Sequence, residues 1–493
     1  RAKLLHLGGE CTIGSVRRRL FALAGAIAVA CPAAASATPV LVMSPQGRVS
    51  LRQDRFLTQP ATPVAPAGRP TRAARPRASS SDRTVVGELS RLYHAHQITA
   101  AQYHRYQGDF SAALNSVKHL SGTRATELEA VVEHLHQFAA AGLFKPSRLP
   151  VLFLTLERNR QWWTTGSIPN PGDLIEFSGS QLVWDYYSGQ GLELQVLATF
   201  GRADGLYTAG PSHYAGMREL LSEMIPLAVH RAGGIAWEYY FNFDGGSPPW
   251  VSAMAQGTGL EALTRAQKAF GGNYLAIGAR ALPLFTQRPW AGVRIPTRLG
   301  ARYLQYSFAP QTDIINAFLQ SLIGLYDYAQ ASGNPQAWAL FKAGDAQARA
   351  ELPGFDTGGW SLYQPGQEDT LDYHNLVTGF LDELCARTHA SVYCTTASHF
   401  HAYLKTPPAL SQLTTRAHAH SSFDLSFRLS KASHVGVVVL QGSRTLFETS
   451  ADFSYGVHSF AVPALGPGSY TIHLAATDLA GNFNRIIGSL AVS

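Results

Sequence analysis

The chain has 493 residues, 46% of them apolar, with 40 Lys and Arg against 33 Asp and Glu, for a formal charge of +7. That is too long for one typical domain and apolar enough for a large core, which excludes disordered, collagen-like and coiled-coil classes. The charge surplus is local: residues 1–83 hold thirteen Lys and Arg against three acids, and the other 410 hold twenty-seven against thirty, so the body lacks the basic footprint of a nucleic-acid binder.

In chain order, residues 1–37 read as an export signal. Arg17, Arg18 and Arg19 form a positive start, Leu20 to Ala30 is an apolar run, and Ala35-Ser36-Ala37 is a small-residue cleavage pattern. Cleavage near Ala37 predicts a protein secreted or held in the cell envelope. The eleven-residue apolar run, at about 1.5 Å per residue, is too short for a hydrocarbon core of about 30 Å, so no retained transmembrane helix is expected. Residues 38–84, rich in Pro, Ala and Arg, read as a disordered linker whose positive charge suits contact with an anionic cell envelope or nothing more than a solvated tether.

Residues 85–408 read as one body. Helical periodicity covers Leu89 to His96 and Glu127 to Phe138, then gives way between about Leu149 and Thr199 to short apolar runs, Val151 to Leu156, Gln181 to Tyr187 and Leu192 to Phe200, which predict a strand-bearing insertion. Helices are predicted at Tyr214 to Ala228, Trp250 to Phe270, Tyr274 to Ala281, Asp313 to Ala331, Pro335 to Glu351, His374 to His389 and Thr395 to Leu404. Such an antiparallel succession packs as a bundle or an (α/α) toroid. Residues 412–493 alternate in short runs divided by Gly-rich turns, the pattern of an immunoglobulin-like β-sandwich that serves as a structural accessory or contacts carbohydrate or the envelope. The fold class is therefore multidomain α+β: a mainly helical toroid-like domain with a strand-bearing insertion, and a C-terminal β-sandwich.

Cys11 and Cys31 leave with the leader. Cys385 and Cys394, nine apart in an exported chain, predict a disulfide, with buried free thiols as the alternative. No CxxC or HExxH occurs and His399-Phe400-His401 has no second ligand cluster nearby, so no zinc is expected. Walker, GxSxG and strand-placed GxGxxG motifs are also absent, which leaves nucleotide and serine-hydrolase chemistry without support.

What stands out are aromatic, Gly-flanked segments at predicted helix ends: Asp244 to Gly257, Tyr303-Leu304-Gln305-Tyr306, Asp356 to Tyr363 and Asp372-Tyr373-His374. In these blocks, over roughly residues 185–405, the chain resembles the C-terminal domain of the D-glucuronyl C5-epimerases. The string from Trp250 to Gly257, the spacing of Tyr306 to Phe318 and Ser321 to Asp327, Leu352-Pro353 with Asp356 to Gly358 and Tyr363, and Asp372-Tyr373-His374 carry the resemblance. It implies a cofactor-independent isomerase that inverts C5 of a uronate within a polysaccharide, with Tyr306, Tyr363 and Tyr373 as the proton-transfer groups.

C5 inversion removes a weakly acidic proton beside a carboxylate and returns one to the other face. A base and an acid must flank C5 while something neutralises the enolate-like charge. Expected substrate contacts are His374 beside Tyr373, Gln256 on a sugar hydroxyl, Trp250 and Tyr187 on sugar rings, and Arg298 or Arg302 on the carboxylate, with Arg202 as a third option. The arginines are borrowed from other loops because the family's own are missing. Gln305 stands where the family has an acid, and Gln364-Pro365-Gly366 follows Tyr363 in place of Asp-Leu-Arg-His.

Three alternatives stay open. A uronate polysaccharide lyase shares the first proton abstraction. A glycoside hydrolase would need paired carboxylates, for which Asp244 with Glu368 or Asp369 are the only tempting set, unsupported by spacing. A catalytically inactive carbohydrate-binding envelope protein would need no catalytic arginines at all. The sequence leaves the polymer, its sulfation and the oligomeric state open.

Overall fold

The computed structural model describes residues 37–57 and 83–493. The leader expected over residues 1–37, Ala37 apart, and the linker over 58–82 lie outside the described residues. Residues 38–57 correct the linker reading. Strands β1 (Thr38–Met43) and β2 (Val49–Asp54) form an antiparallel hairpin, and β1 continues in parallel onto β3 (Leu174–Phe177), which pairs with β4 (Trp184–Tyr187) and then β5 (Gly191–Leu194). Composition hid this hairpin because two strands alone are marginal; it is held by a third strand more than a hundred residues away. Charge also holds it. Arg202 pairs with Asp54 at 3.1 Å and with Glu176 of β3 at 2.9 Å, and Arg52 reaches the same two carboxylates.

Helices α1 (Val85–His94), α2 (Ala100–His119), α3 (Gly122–Ala140) and α4 (Leu149–Thr165) precede β3. The strand expected at Val151 to Leu156 is the first half of α4. Its apolar run is buried on nearly every side, so it shows neither period, and Pro150 sits in the first turn, where a missing N–H costs nothing. Then come α5 (Val196–Thr208), α6 (Tyr214–Met224), hairpin β6–β7 (Val229–Arg231, Gly234–Ala236), α7 (Ala253–Phe270), α8 (Tyr274–Ala281) and hairpin β8–β9 (Arg294–Pro296, Ala301–Tyr303). Helices α9 (Ile315–Ser332) and α10 (Pro335–Glu351), hairpin β10–β11 (Leu362–Gln364, Gln367–Glu368), α11 (Leu371–Thr388) and α12 (Ser391–Tyr403) complete the helical body. A disulfide joins Cys385 to Cys394, tying α11 to α12. No helix among the described residues is long and apolar enough to cross a membrane.

Local chemistry sets several of these starts. Ser252 accepts from the Ala255 N–H ahead of α7, Asn334 from Gln336 and Ala337 ahead of α10, and Thr370 from Tyr373 ahead of α11.

The C-terminal segment forms two sheets, β12–β14–β17 (Leu410–Gln412, Phe423–Leu429, Gly456–Val462) and β13–β19–β18–β15–β16 (Arg416–Ala417, Phe483–Val492, Gly468–Asp478, Ser433–Gln441, Arg444–Phe453). Alternate residues such as Leu425, Phe427, Val435, Val437, Val439, Ile472 and Leu474 face one shared core.

Helices α7 and α9, on either side of the segment that holds Tyr306, touch backbone to backbone. A Cβ on Gly324 would lie 2.0 Å from the Gly257 carbonyl oxygen, and one on Gly257 would lie 2.6 Å from Ser321 Cα. Gly324→Ala should therefore destabilise the helical body by about 2 kcal/mol, read as a lower thermal midpoint with the secondary structure retained; an unchanged midpoint would show that the two helices can separate freely.

Candidate active site

Three separate segments bring Tyr306, Tyr363 and Tyr373 together. Tyr306 follows β9, with its ring among Phe243, Trp250 and Phe308 at centroid distances of 5.4, 5.6 and 5.3 Å. Tyr363 sits in β10, whose hairpin turns at Pro365-Gly366 with Gly366 at φ +83°. Tyr373 occupies the first turn of α11, and its ring lies edge-on to Tyr363 at 5.2 Å. The Tyr306 hydroxyl bonds Tyr363, and the Gln305 amide bonds Tyr306. Gln305 Oε1 in turn accepts from Ser252 Oγ at 3.3 Å, which ties the phenols to the start of α7.

Electrostatics keep these phenols protonated at rest. Burial pushes Tyr306 well above the ordinary phenol value, and Tyr363 and Tyr373 add to it. Burial also raises Tyr373, with Tyr363, Asp369 and Asp372 behind it. Tyr363 is pushed up to about 12 by burial, against a hydrogen bond from Tyr306 that favours its phenolate. The acids that act on these two phenols, Asp244 and Asp369 on Tyr363 and Asp369 and Asp372 on Tyr373, all push them up.

The three borrowed arginines stand elsewhere. Arg302 pairs with Asp313 and Glu351, Arg202 is committed to Asp54 and Glu176, and Arg298 is exposed in the β8–β9 turn.

Most of the expected substrate contacts face inward. Gln256 is fully buried, accepting from the Trp237 N–H at 3.1 Å and donating to the Trp237 carbonyl at 2.9 Å, so both ends of its amide hold backbone. Trp250 is 2% exposed, stacks on Tyr239 at 4.2 Å and donates to the Phe241 carbonyl; it walls Tyr306 from behind instead of presenting a face to sugar. Tyr187 is half-buried, stacks on Phe241 at 4.2 Å and stands 6.5 Å from Phe243, the ring that also touches Tyr306. It is the less buried of the two aromatic candidates.

His374 is fully buried beneath Trp360, with ring centroids 3.8 Å apart. Its Nε2 lies 3.0 Å from the Phe400 carbonyl and its Nδ1 2.8 Å from Ser361 Oγ, while Ser361 Oγ is 2.5 Å from Asp369 Oδ2. One hydroxyl proton cannot serve both of Ser361's neighbours. With Nε2–H committed to the carbonyl, the array needs one further proton, on Asp369 or on His374. Burial decides the location: it holds Asp369 up to about 7 and His374 down to about 4, leaving a neutral acid beside a neutral imidazole. Asp369 Oδ1 is buried without a partner, and its carboxyl acts on both Tyr363 and Tyr373. Sequence spacing missed this array because the three residues carry no shared motif.

The hydrolase pairing fails on the same geometry, since Asp369 is bound to Ser361, and Glu368 accepts from the backbone N–H of Ala432 at 2.9 Å and of Tyr455 at 2.7 Å. Both of those donors belong to the C-terminal domain. Lys431 of that domain, 1% exposed, sits 5.3 Å over the Trp360 ring, donates to the Tyr403 and Thr406 carbonyls and pairs with Asp478 at 2.6 Å. The two-sheet domain thus builds the back wall of the tyrosine loop. Among the described residues no group of three or more His, Cys, Asp or Glu is placed to hold a metal ion; His399 bonds Asp356 and His401 bonds Asp382.

Residues 232–402 match the family model of the D-glucuronyl C5-epimerase C-terminus. That stretch is about a third of the chain, and it is similar to the family's C-terminal region. All three tyrosines lie inside it, while the N-terminal helices, the five-stranded sheet and the C-terminal domain lie outside. Over 130 residues the chain is 38% identical to a D-glucuronyl C5-epimerase of Caenorhabditis elegans, covering 24% of this chain and 21% of that protein. An uncharacterized protein of Methanocaldococcus jannaschii is 28% identical over 137 residues, 26% of this chain and 44% of its own length. The chain thus spans less than half of either curated relative. A sugar epimerase from a ruminal bacterium superposes with a TM-score of 0.29 at 14% identity, over 43% of this chain and 57% of that one.

The proton array gives a pH signature. Asp369, raised from an ordinary value near 4, contributes stability that is whole below about pH 4 and lost as pH rises to about 7. His374, lowered, penalises the fold at about pH 4 and ceases to do so by about 6.5. The two opposed slopes largely offset in the wild type. Asp369→Asn should leave the His374 slope alone, so that the variant's stability relative to wild type rises between about pH 4 and 7, by at most about 1.4 kcal/mol per pH unit. A difference independent of pH, measured by chemical denaturation across that range, would show that Asp369 holds no proton.

Proposed function

We propose that the protein is an exported carbohydrate epimerase that inverts C5 of a uronate residue within a polysaccharide, using the phenols of Tyr363 and Tyr373 for proton removal and return. The observation that carries this reading is the meeting of Tyr306, Tyr363 and Tyr373, from three distant segments, inside the stretch that matches the C5-epimerase family. On this reading one phenolate takes H5, the electron pair moves into the adjacent carboxyl group, and a second phenol returns a proton to the opposite face. After one turnover the base is a phenol and the acid a phenolate, so the starting state is restored by exchanging one proton with solvent at each. The helical succession α5–α12 is read as an (α/α) toroid and the C-terminal domain as an immunoglobulin-like sandwich. Export rests on the Arg17–Ala37 leader pattern.

The acids that raise Tyr363 and Tyr373, and the commitment of Arg302 and Arg202 to ion pairs, favour a second reading, a carbohydrate-binding protein without turnover. The deciding measurement is deuterium incorporation at C5 of glucuronate polymers in D2O. Incorporation without chain cleavage is expected, and Tyr363→Phe and Tyr373→Phe should each lower the rate at least about 100-fold. No incorporation on any uronate polymer favours the binding protein, and an unsaturated product indicates a lyase. Because Tyr363 is held up to about 12, its phenolate fraction grows tenfold per pH unit below that value, so the exchange rate should climb steadily from pH 7 to 9. A bell centred near neutrality would remove Tyr363 as the base.

A further inference from the structure

The structure holds a cavity of about 910 Å³ whose lining includes Lys145, Arg148, His230, Arg231, Arg280 and Trp290. No acidic side chain lines it. The carboxylate bonded to its cations is that of Glu238, which accepts from Arg148 at 2.8 and 2.9 Å and from Arg231 at 2.7 Å. Burial would push Glu238 up, but the two guanidinium groups outweigh it and hold it below its ordinary value, so it stays ionised. Four full positive charges, those of Lys145, Arg148, Arg231 and Arg280, therefore meet one negative charge, in a body whose overall balance is slightly acidic.

The cavity is also built to a shape. Arg148 and Arg231 are nearly buried and fixed, because Arg231 Nε donates to the Ala291 carbonyl at 2.9 Å and its remaining nitrogens reach the Pro249 and Trp290 carbonyls. Trp290 is 65% exposed and has φ +63°, a left-handed backbone that a tryptophan rarely adopts. Its N–H donates to the Ser307 carbonyl at 3.2 Å. An exposed indole held in a costly conformation beside fixed guanidinium groups has the two elements that bind an acidic sugar: a flat apolar face for the ring and preorganised donors for its anion. Along the chain, Pro249 of the lining precedes Trp250, whose ring lies 5.6 Å from Tyr306, and Trp290 of the lining donates to Ser307, the residue after Tyr306.

We propose that this cavity is a second saccharide site, taking a carboxylate- or sulfate-bearing sugar of the same polymer with its ring on Trp290 and its anion on the exposed Lys145 and Arg280, while Arg148 and Arg231, held by Glu238 and backbone carbonyls, add positive charge behind them. The proposal rests on the uronate-polymer reading for the identity of the ligand, and on the cavity alone for its charge.

The test is calorimetric titration of the full chain with a hyaluronan hexasaccharide, its carboxyl-reduced counterpart, a sulfated hexasaccharide and sodium sulfate. Two variants are compared, Lys145→Glu with Arg280→Glu, both exposed, and Trp290→Asn, since asparagine tolerates the left-handed backbone. The expected result is that an acidic hexasaccharide binds, the charge-reversed variant weakens it about tenfold or more with a smaller salt dependence, Trp290→Asn weakens it too, and carboxyl reduction abolishes it. Preference between the carboxylated and sulfated probes then names the anion. Wild-type affinity in both variants, equal binding of the carboxyl-reduced sugar, or binding of sulfate with no gain from the saccharide would each overturn the site. Deuterium exchange at C5 is followed in parallel: cavity-dependent binding without exchange sinks the epimerase and leaves the site, while exchange with unaltered binding in the variants does the reverse.

Discussion

The contact between α7 and α9, where Gly257 and Gly324 bring two backbones together without side chains between them, sets the geometry of the helical body. Helix α7 starts at Ser252, whose hydroxyl reaches Gln305, and α9 starts shortly after Tyr306. Any separation of the two helices would pull the Ser252–Gln305–Tyr306 line apart, so the first tyrosine is positioned by close packing far from its own hydroxyl. Packed interiors transmit such changes because they have no slack to absorb them.

The second constraint comes from outside the epimerase-like region. Glu368 is bonded to the backbone of the C-terminal domain, and Lys431 lies over Trp360, which stacks on His374. The loop that carries Tyr363 and Asp369 is therefore clamped between two domains. A module that reads in sequence as an accessory acts here as part of the site's frame, and the buried Lys431–Asp478 pair keeps its charges satisfied within that frame.

Charge is divided between two neighbouring regions. Around the tyrosines the ionisable neighbours are phenols and carboxyls, which favour neutral groups and make proton transfer costly at neutral pH. Around the cavity that Pro249 lines, four cations gather, two of them, Arg148 and Arg231, bonded to Glu238. Sequence counting, which averages over hundreds of residues, reads the whole body as nearly neutral and cannot see this division.

The sequence by itself determined the elements whose causes are local: the bounds of α8 and α10, the alternating strands of the C-terminal domain, and the aromatic blocks that carry the family resemblance, whereas the starts of α7 and α11, expected at Trp250 and His374, fall at Ala253 and Leu371 behind the Ser252 and Thr370 caps. These depend on periodicity and hydrogen bonds spanning a few residues. Only the tertiary structure decided that Thr38–Asp54 joins a sheet, that Val151–Leu156 is helical, that Gln256, Trp250 and His374 turn inward, and that Arg302 and Arg202 are spent in ion pairs. The reason is that a side chain's partner is chosen by which distant segment packs against it. Asp54 finds Arg202, and Ser361 lies between Asp369 and His374, through contacts that no local pattern encodes.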